Sequence, residues 1–381
     1  SGVLSGISSY RVSVVSGSGS GSVSQGITKI DLQKSLTDAG YEINPELTSF
    51  YNSNTRSGSG RKNGNSGWKG ISEATVGETP ISSYDDAVMN SIYDYNDAAI
   101  MVLARGGTEG ADCKTYDARD FDSDPISDRH YLELSKNEED LLDMIEENFD
   151  TVIVLINSGN AFECARLESD PQVNAVIWMG TPGANGTAAI GKILKGEVCP
   201  SGRTVDTWER DFTKNPTFQN FADNLQTNVD ESTGIAYPQD TMFNPDGSPV
   251  HAYGSYKTAP VWDNEDHKVV KYGLNGVRPS AYVSYEEGIY MDYRYYETAY
   301  SDIAKDSQAE ADEWYEGDYG VCYPFGYGLS YTTFSQKIVK SNVNKGTITT
   351  GKEKVTVDVE VENTGSVAGK EVVQLYFKAP Y

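Results

Sequence analysis

Three apolar runs constrain this chain more than anything else in it: "AAIMVLA" (Ala98–Ala104), "TVIVLINSG" (Thr151–Gly159) and "NAVIWMGTPG" (Asn174–Gly183). Each is too short for a helix that buries all its sides, and none alternates as a strand with one wet face does. Strands apolar throughout are strands covered on both faces, and that points to a parallel sheet between helical layers. Helical patterns separate them. In "SKNEEDLLDMIEENF", Ser135 is placed to cap, Glu138 sits three residues on, and Leu141, Leu142 and Ile145 form one apolar stripe. Further helices are expected from about Thr28 to Gly40, over "PELTSFYNSN", within "YDDAVMNSIYDYN" and from about Ala184 to Leu194, with a short strand at "RVSVV".

The alternation changes twice. Between about Asp211 and Asp318 no period is visible, and Tyr, Asp, Gly and Asn dominate, so this stretch is expected to be loop-rich. After Phe334 the period becomes two: Val355, Val357, Val359 and Val361 fall on one face, and "KEVVQLYFKAP" reads as a further strand. That pattern is the opening of an antiparallel β-sandwich, about half of the ~100 residues such a module needs. The expected division is an α/β domain over 1–240, a loop-rich extension over 241–330 and a partial sandwich over 331–381.

Charge and composition remove several functions. With 31 Lys and Arg against 56 Asp and Glu, the net charge is −25, which repels nucleic acid and anionic membrane surfaces. No apolar run approaches the ~20 residues that span a bilayer, and the first residues show no basic-then-apolar leader. Cys113, Cys164, Cys199 and Cys322 are widely spaced without C-x-x-C, and His130, His251 and His267 form no metal-binding spacing, so neither a metal nor a cofactor is expected. Gly17, Gly19 and Gly21 are spaced G-x-G-x-G, not as a dinucleotide fingerprint, and no G-x-S-x-G elbow follows an apolar strand. Self-association into a homo-oligomer remains open.

Ligands of parallel α/β sheets bind at the carboxyl ends of the strands. At the first of these ends stands "RGGTEGADC", where Glu109 sits among Gly106, Gly107 and Gly110. Small flanking residues let backbone approach a ligand, and a carboxyl group presented to an open pocket is what acid catalysis on sugars requires.

The segment resembles the "R-x-x-G-E-G-x-D" segment of glycoside hydrolase family 3: Arg105, Glu109, Gly110 and Asp112 match, and Thr108 replaces a glycine. "GTPGANGTAAIGKILKGEVCPSGRTVDTW" is similar to the family's "G-x-x-G-x-x-x-A-x-x-L-x-G-x-x-N-P-S-G-R-L-P-x-T", with Cys199, Thr204 and Val205 departing from Asn, Leu and Pro. "YEEGIYMDYRYYE" resembles "Y-x-E-G-I-Y-V-G-Y-R-Y-Y-D", and "YPFGYGLSYTTF" resembles the junction into a fibronectin type III-like domain. The resemblance implies a six-stranded, largely parallel α/β sandwich followed by part of that β-sandwich. It implies a retaining β-glucosidase-like enzyme, acting on terminal β-linked glucose of an oligosaccharide or glycoside, with Glu109 as general acid/base. It implies a nucleophilic Asp on a (β/α)₈ barrel, in a motif like "S-D-W" that these 381 residues do not contain. Arg105, Thr108, Asp112, Glu287 and Trp314 are the substrate-binding candidates. The competing expectation is a carbohydrate-binding or scaffold module without catalysis of its own.

Overall fold

The computed structural model describes residues 2–5, 30–53, 75–76, 78–105, 113, 119–120, 129–183, 185–215, 227–229, 236–238, 241–243, 249–251, 288–317, 320–343 and 354–376. Among the described residues five strands, against the six that the resemblance implies, form the main sheet: β1 (Gly2–Ser5), β2 (Glu42–Ile43), β3 (Ala98–Arg105), β4 (Val152–Ser158) and β5 (Val173–Trp178). Their order is β2-β1-β3-β4-β5, and every neighbouring pair is parallel. The order reverses direction between β1 and β3, the kind of point at which such sheets open a crevice at their carboxyl edge. The three apolar runs are β3, β4 and β5; the "RVSVV" strand lies outside the described residues.

Both faces of β3 and β4 are covered, which is why those strands are apolar throughout, whereas β5 is only partly buried. Ala99, Met101 and Leu103 pack with Val152, Val154 and Ile156 against α2 (Pro45–Ser53), α3 (Asp86–Ser91) and α4 (Lys136–Asn148). Ile100, Val102 and Leu155 pack on the other face with Leu32 and Leu36 of α1 (Leu32–Asp38) and with Ile190 of α6 (Ala188–Leu194). Between these, α5 (Ala165–Ser169) links β4 to β5. The α4 start is the expected capping box: Ser135 Oγ accepts the Glu138 N–H at 3.2 Å, and Glu138 Oε2 accepts the Ser135 N–H at 2.9 Å. Asp31 caps α1, which therefore begins at Leu32, and Gly40 ends it with φ 91°. The last helix of this layer starts at Ala188, four residues after the expected Ala184.

Helices α1 and α6 touch through Gly191. Its N–H donates to Ser35 Oγ at 3.0 Å, and a Cβ there would overlap the Ser35 carbonyl oxygen. Gly191→Ala gains helix propensity of up to ~1 kcal/mol but forces two backbones apart, an overpacking penalty of about 1–3 kcal/mol. The expected result is a lower thermal midpoint; an unchanged or higher midpoint shows that the two helices separate without strain.

The region beyond the sheet corrects the sequence-based expectation. Residues 293–316 are not loop: they form α7 (Tyr293–Asp306) and α8 (Gln308–Glu316). Six tyrosine and aromatic positions disguised the helical period, yet Ser307 caps α8 by accepting the Glu310 N–H at 3.2 Å. Just before α7, Asp292 has φ 55° and ψ −137°, where the similar family pattern carries glycine. A non-glycine residue there costs about 1–3 kcal/mol; its carboxylate accepts the Thr207 N–H at 2.5 Å. Strand β6 (Trp208–Glu209) pairs antiparallel with β7 (Val321–Tyr323).

The period-two segment is the expected strand. β8 (Phe334–Ser341) and β9 (Val357–Asn363) pair antiparallel, with a register shift between Ile338 and Lys340. Residues 370–376, read as a further strand, carry no strand structure; they are tied down instead by the Arg203–Glu371 ion pair at 3.0 Å. Val361, Ile338 and Leu375 stand exposed. No helix among the described residues is long and apolar enough to cross a membrane.

Candidate active site at the carboxyl edge of the sheet

Glu109, Thr108, Asp112 and Glu287 lie outside the described residues. What is described is the platform from which the Glu109 segment departs and to which it returns. Strand β3 ends at Arg105, which lies beside Ser158 of β4, while Ala104 lies beside Asn157.

The Arg105 side chain is buried, and five hydrogen bonds fill its five N–H donors. Nε donates to the Tyr131 carbonyl at 2.6 Å. Nη1 donates to the Ala104 carbonyl at 3.0 Å and to Glu138 Oε1 at 2.8 Å. Nη2 donates to the Glu133 carbonyl at 2.6 Å and to Glu138 Oε2 at 2.5 Å. The guanidinium carbon also lies 5.6 Å from the Tyr131 ring centroid and 4.9 Å from that of Phe162. A substrate ligand must offer donors to solvent or a pocket, and these donors are directed into the chain. The arginine that the sequence places among substrate contacts is therefore found as a bidentate partner of Glu138.

A second polar group sits beside it. His130 is buried, its Nε2 lies 3.0 Å from Glu163 Oε2 and 4.0 Å from Glu133 Oε1, and its ring stacks on Phe212 with centroids 5.5 Å apart. Burial pushes the Glu133 carboxyl above its usual range, and the nearby His130 partly offsets this. One histidine and two carboxylates within 4.8 Å are a metal-sized group. The hydrogen bonds argue for another use. Nδ1 accepts the Leu132 N–H at 3.1 Å, which assigns the ring proton to Nε2. A metal at Nε2 needs that lone pair free and a proton on Nδ1, pointing at the Leu132 N–H. Glu163 is also engaged, accepting the Phe212 N–H at 2.8 Å and donating its own N–H to the Leu132 carbonyl at 2.8 Å. The group is a brace joining residues 130–133, Glu163 and Phe212.

Asn157 is 2% exposed, and among the described residues neither atom of its amide has a hydrogen-bond partner. Such a group costs about 1–3 kcal/mol, and it lies one strand over from the start of the Glu109 segment. Trp314 is half-buried on α8, its ring 6.1 Å from Tyr296, 6.3 Å from Tyr295 and 6.5 Å from Tyr315. It belongs to an aromatic cluster that holds α7 to α8. Sequence reasoning found Ser135 and Glu138 as caps but missed that Glu138 also holds Arg105. It counted His130 without finding Glu163, because a separation of 33 positions leaves no local pattern.

The sequence profile of the glycosyl hydrolase family 3 C-terminal domain matches residues 7–331. The chain is 30% identical over 304 residues to beta-glucosidase A of Butyrivibrio fibrisolvens, an overlap covering 75% of this chain and 28% of that protein. It is 27% identical over 299 residues to a beta-glucosidase of Ruminococcus albus, covering 78% of this chain and 21% of that protein. The chain thus spans less than a third of the length of these relatives. In fold it is similar to beta-glucosidase 3B from Thermotoga neapolitana, solved in complex with alpha-D-glucose, with a TM-score of 0.58 at 20% identity over 96% of this chain and 38% of that one. A beta-glucosidase from Paenibacillus barengoltzii gives a TM-score of 0.59 at 23% identity over 96% of this chain and 30% of that one. With the family profile running across four of the five strands of the parallel sheet, the "RGGTEG" segment and the α7–α8 region, the chain belongs to glycoside hydrolase family 3, as that family's C-terminal domain.

Proposed function

We propose that this chain supplies the general acid/base, Glu109, of a retaining β-glycosidase that releases terminal β-linked glucose from oligosaccharides or glycosides. The nucleophilic carboxylate comes from a (β/α)₈ barrel outside these 381 residues, brought to ~5–5.5 Å from Glu109 as retention requires. Glu109 protonates the leaving oxygen as the nucleophile attacks the anomeric carbon, then takes a proton from the water that releases the sugar. Thr108, Asp112 and Glu287 line the sugar subsite, and Trp314 takes the packing role that its neighbours give it. The observation that carries this reading is the end of β3: the chain leaves the carboxyl edge of a parallel sheet at Arg105, four residues before the glutamate.

The test separates the two parts of the site. Residues 1–381 alone are expected to leave an aryl β-glucoside intact, and the complete polypeptide with its barrel is expected to hydrolyse it. Turnover by residues 1–381 comparable to the complete protein overturns the placement of the nucleophile. A complete protein that binds β-glucosides without turnover favours the non-catalytic sugar-binding module.

A further inference from the structure

Seven residues separate Arg105 from Cys113, with Glu109 midway, and both ends rest on one residue. Arg105 donates to the Tyr131 carbonyl at 2.6 Å and holds its guanidinium 5.6 Å from the Tyr131 ring. Cys113, half-buried, packs against the same buried tyrosine, and its Sγ accepts from Asn160 Nδ2, a residue just past β4, at 3.5 Å. The chain then returns at Arg129. That side chain donates to the Leu134 carbonyl and, at 2.8 Å, to Glu139 of α4. Departure and return are therefore fixed to the same few residues, 131–139, at the start of α4.

The strongest of these ties is the buried one. Side chains of Arg105 and Glu138 are 0% and 1% exposed, and the Glu138 carboxylate serves both the guanidinium and its own helix cap. A buried ion pair of this kind adds little stability over an apolar pair of similar volume; its best-attested use is to fix one arrangement among several. Here the arrangement fixed is the base of the segment that carries Glu109.

We infer that Arg105, Glu138 and Tyr131, with Cys113 on the far side, form a clamp that positions Glu109 for proton transfer. This rests on the proposed role of Glu109. The four are positioning residues: they act through the chain between Arg105 and Cys113, because an acid must be held to within a fraction of an ångström of the atom it protonates.

Arg105→Met combined with Glu138→Leu, made in the complete protein, removes the clamp while keeping the interior filled. Two substrates report on it: cellobiose, whose leaving sugar needs a proton, and a dinitrophenyl β-glucoside, whose leaving group does not. The expected result is a fall of about 100-fold in kcat/KM for cellobiose, with kcat/KM for the dinitrophenyl glucoside close to native. Cys113→Ala, a single small deletion that leaves the core intact, is expected to tilt the same ratio in the same direction by less, and it decides the matter if the double variant fails to fold. Equal losses on both substrates, or none on cellobiose, overturn the clamp. A native protein inactive on both substrates overturns the proposed function itself.

Discussion

Replacing Glu109 by glutamine in the complete protein is expected to lower kcat/KM for cellobiose by roughly 10²–10⁴-fold, the range that positioned acid–base catalysis contributes. The amide keeps the size and one acceptor oxygen of the native side chain but has no proton to give at the glycosidic oxygen. A sugar leaving group departs as a strongly basic alkoxide unless protonated. A dinitrophenolate needs no such help, so kcat/KM for the dinitrophenyl glucoside should stay within a few-fold of native. Turnover of that substrate still slows, because water attacks the glycosyl-enzyme without a base, and KM falls with kcat as the intermediate accumulates. A loss of kcat/KM that is equal for both leaving groups contradicts the acid role.

The second large effect concerns stability, at a site away from the carboxyl edge. Glu209 on β6 is buried, accepts from Asn215 Nδ2 at 2.5 Å and lies against Tyr296. Burial pushes its carboxyl from the usual 4.5 up to about 7; hydrogen bonds pull it down, and the Asp292 charge adds to the rise. Because the folded value is the higher one, this group favours folding most below pH ~4.5, and that contribution is lost as pH climbs through 7. Over that interval the loss is about 3 kcal/mol. Glu209→Gln keeps an oxygen for Asn215 and cannot ionise. Urea unfolding at pH 5 and pH 8 should show the variant gaining on native by about 2–3 kcal/mol between the two pH values. Parallel pH dependences for the two proteins contradict the assignment. Asp206, also raised by burial and then by Asp292, is common to both and cancels in the comparison.

Local signals carried the central fold. Runs such as Ala98–Ala104 announce a strand buried on both faces because their neighbours are covered on both faces, and Ser135 and Glu138 announce a helix start because capping acts over three residues. The α7 and α8 helices went unseen because they meet through aromatic rings such as Tyr295, Tyr296 and Trp314, of which the tyrosines read as loop residues when judged by polarity. Strand β1 is four residues long, too short to show a period. At the candidate site, Arg105 was legible as a motif residue but not as a clamp. Its partners at 131, 133 and 138 are set by how the returning chain packs, and no spacing in the sequence records that. The strained Asp292 was invisible for a similar reason: only its φ shows why the family pattern carries glycine there.

The most direct measurement on the central claim uses Glu109→Ala in the complete protein, with a dinitrophenyl β-glucoside and sodium azide. The small anion attacks the glycosyl-enzyme without needing a general base and fits the space that the carboxyl group leaves. If Glu109 is the acid/base of a retaining enzyme, azide accelerates turnover and the product is the β-glucosyl azide, formed by two inversions at the anomeric carbon. Absence of acceleration, or an α-glucosyl azide, contradicts it.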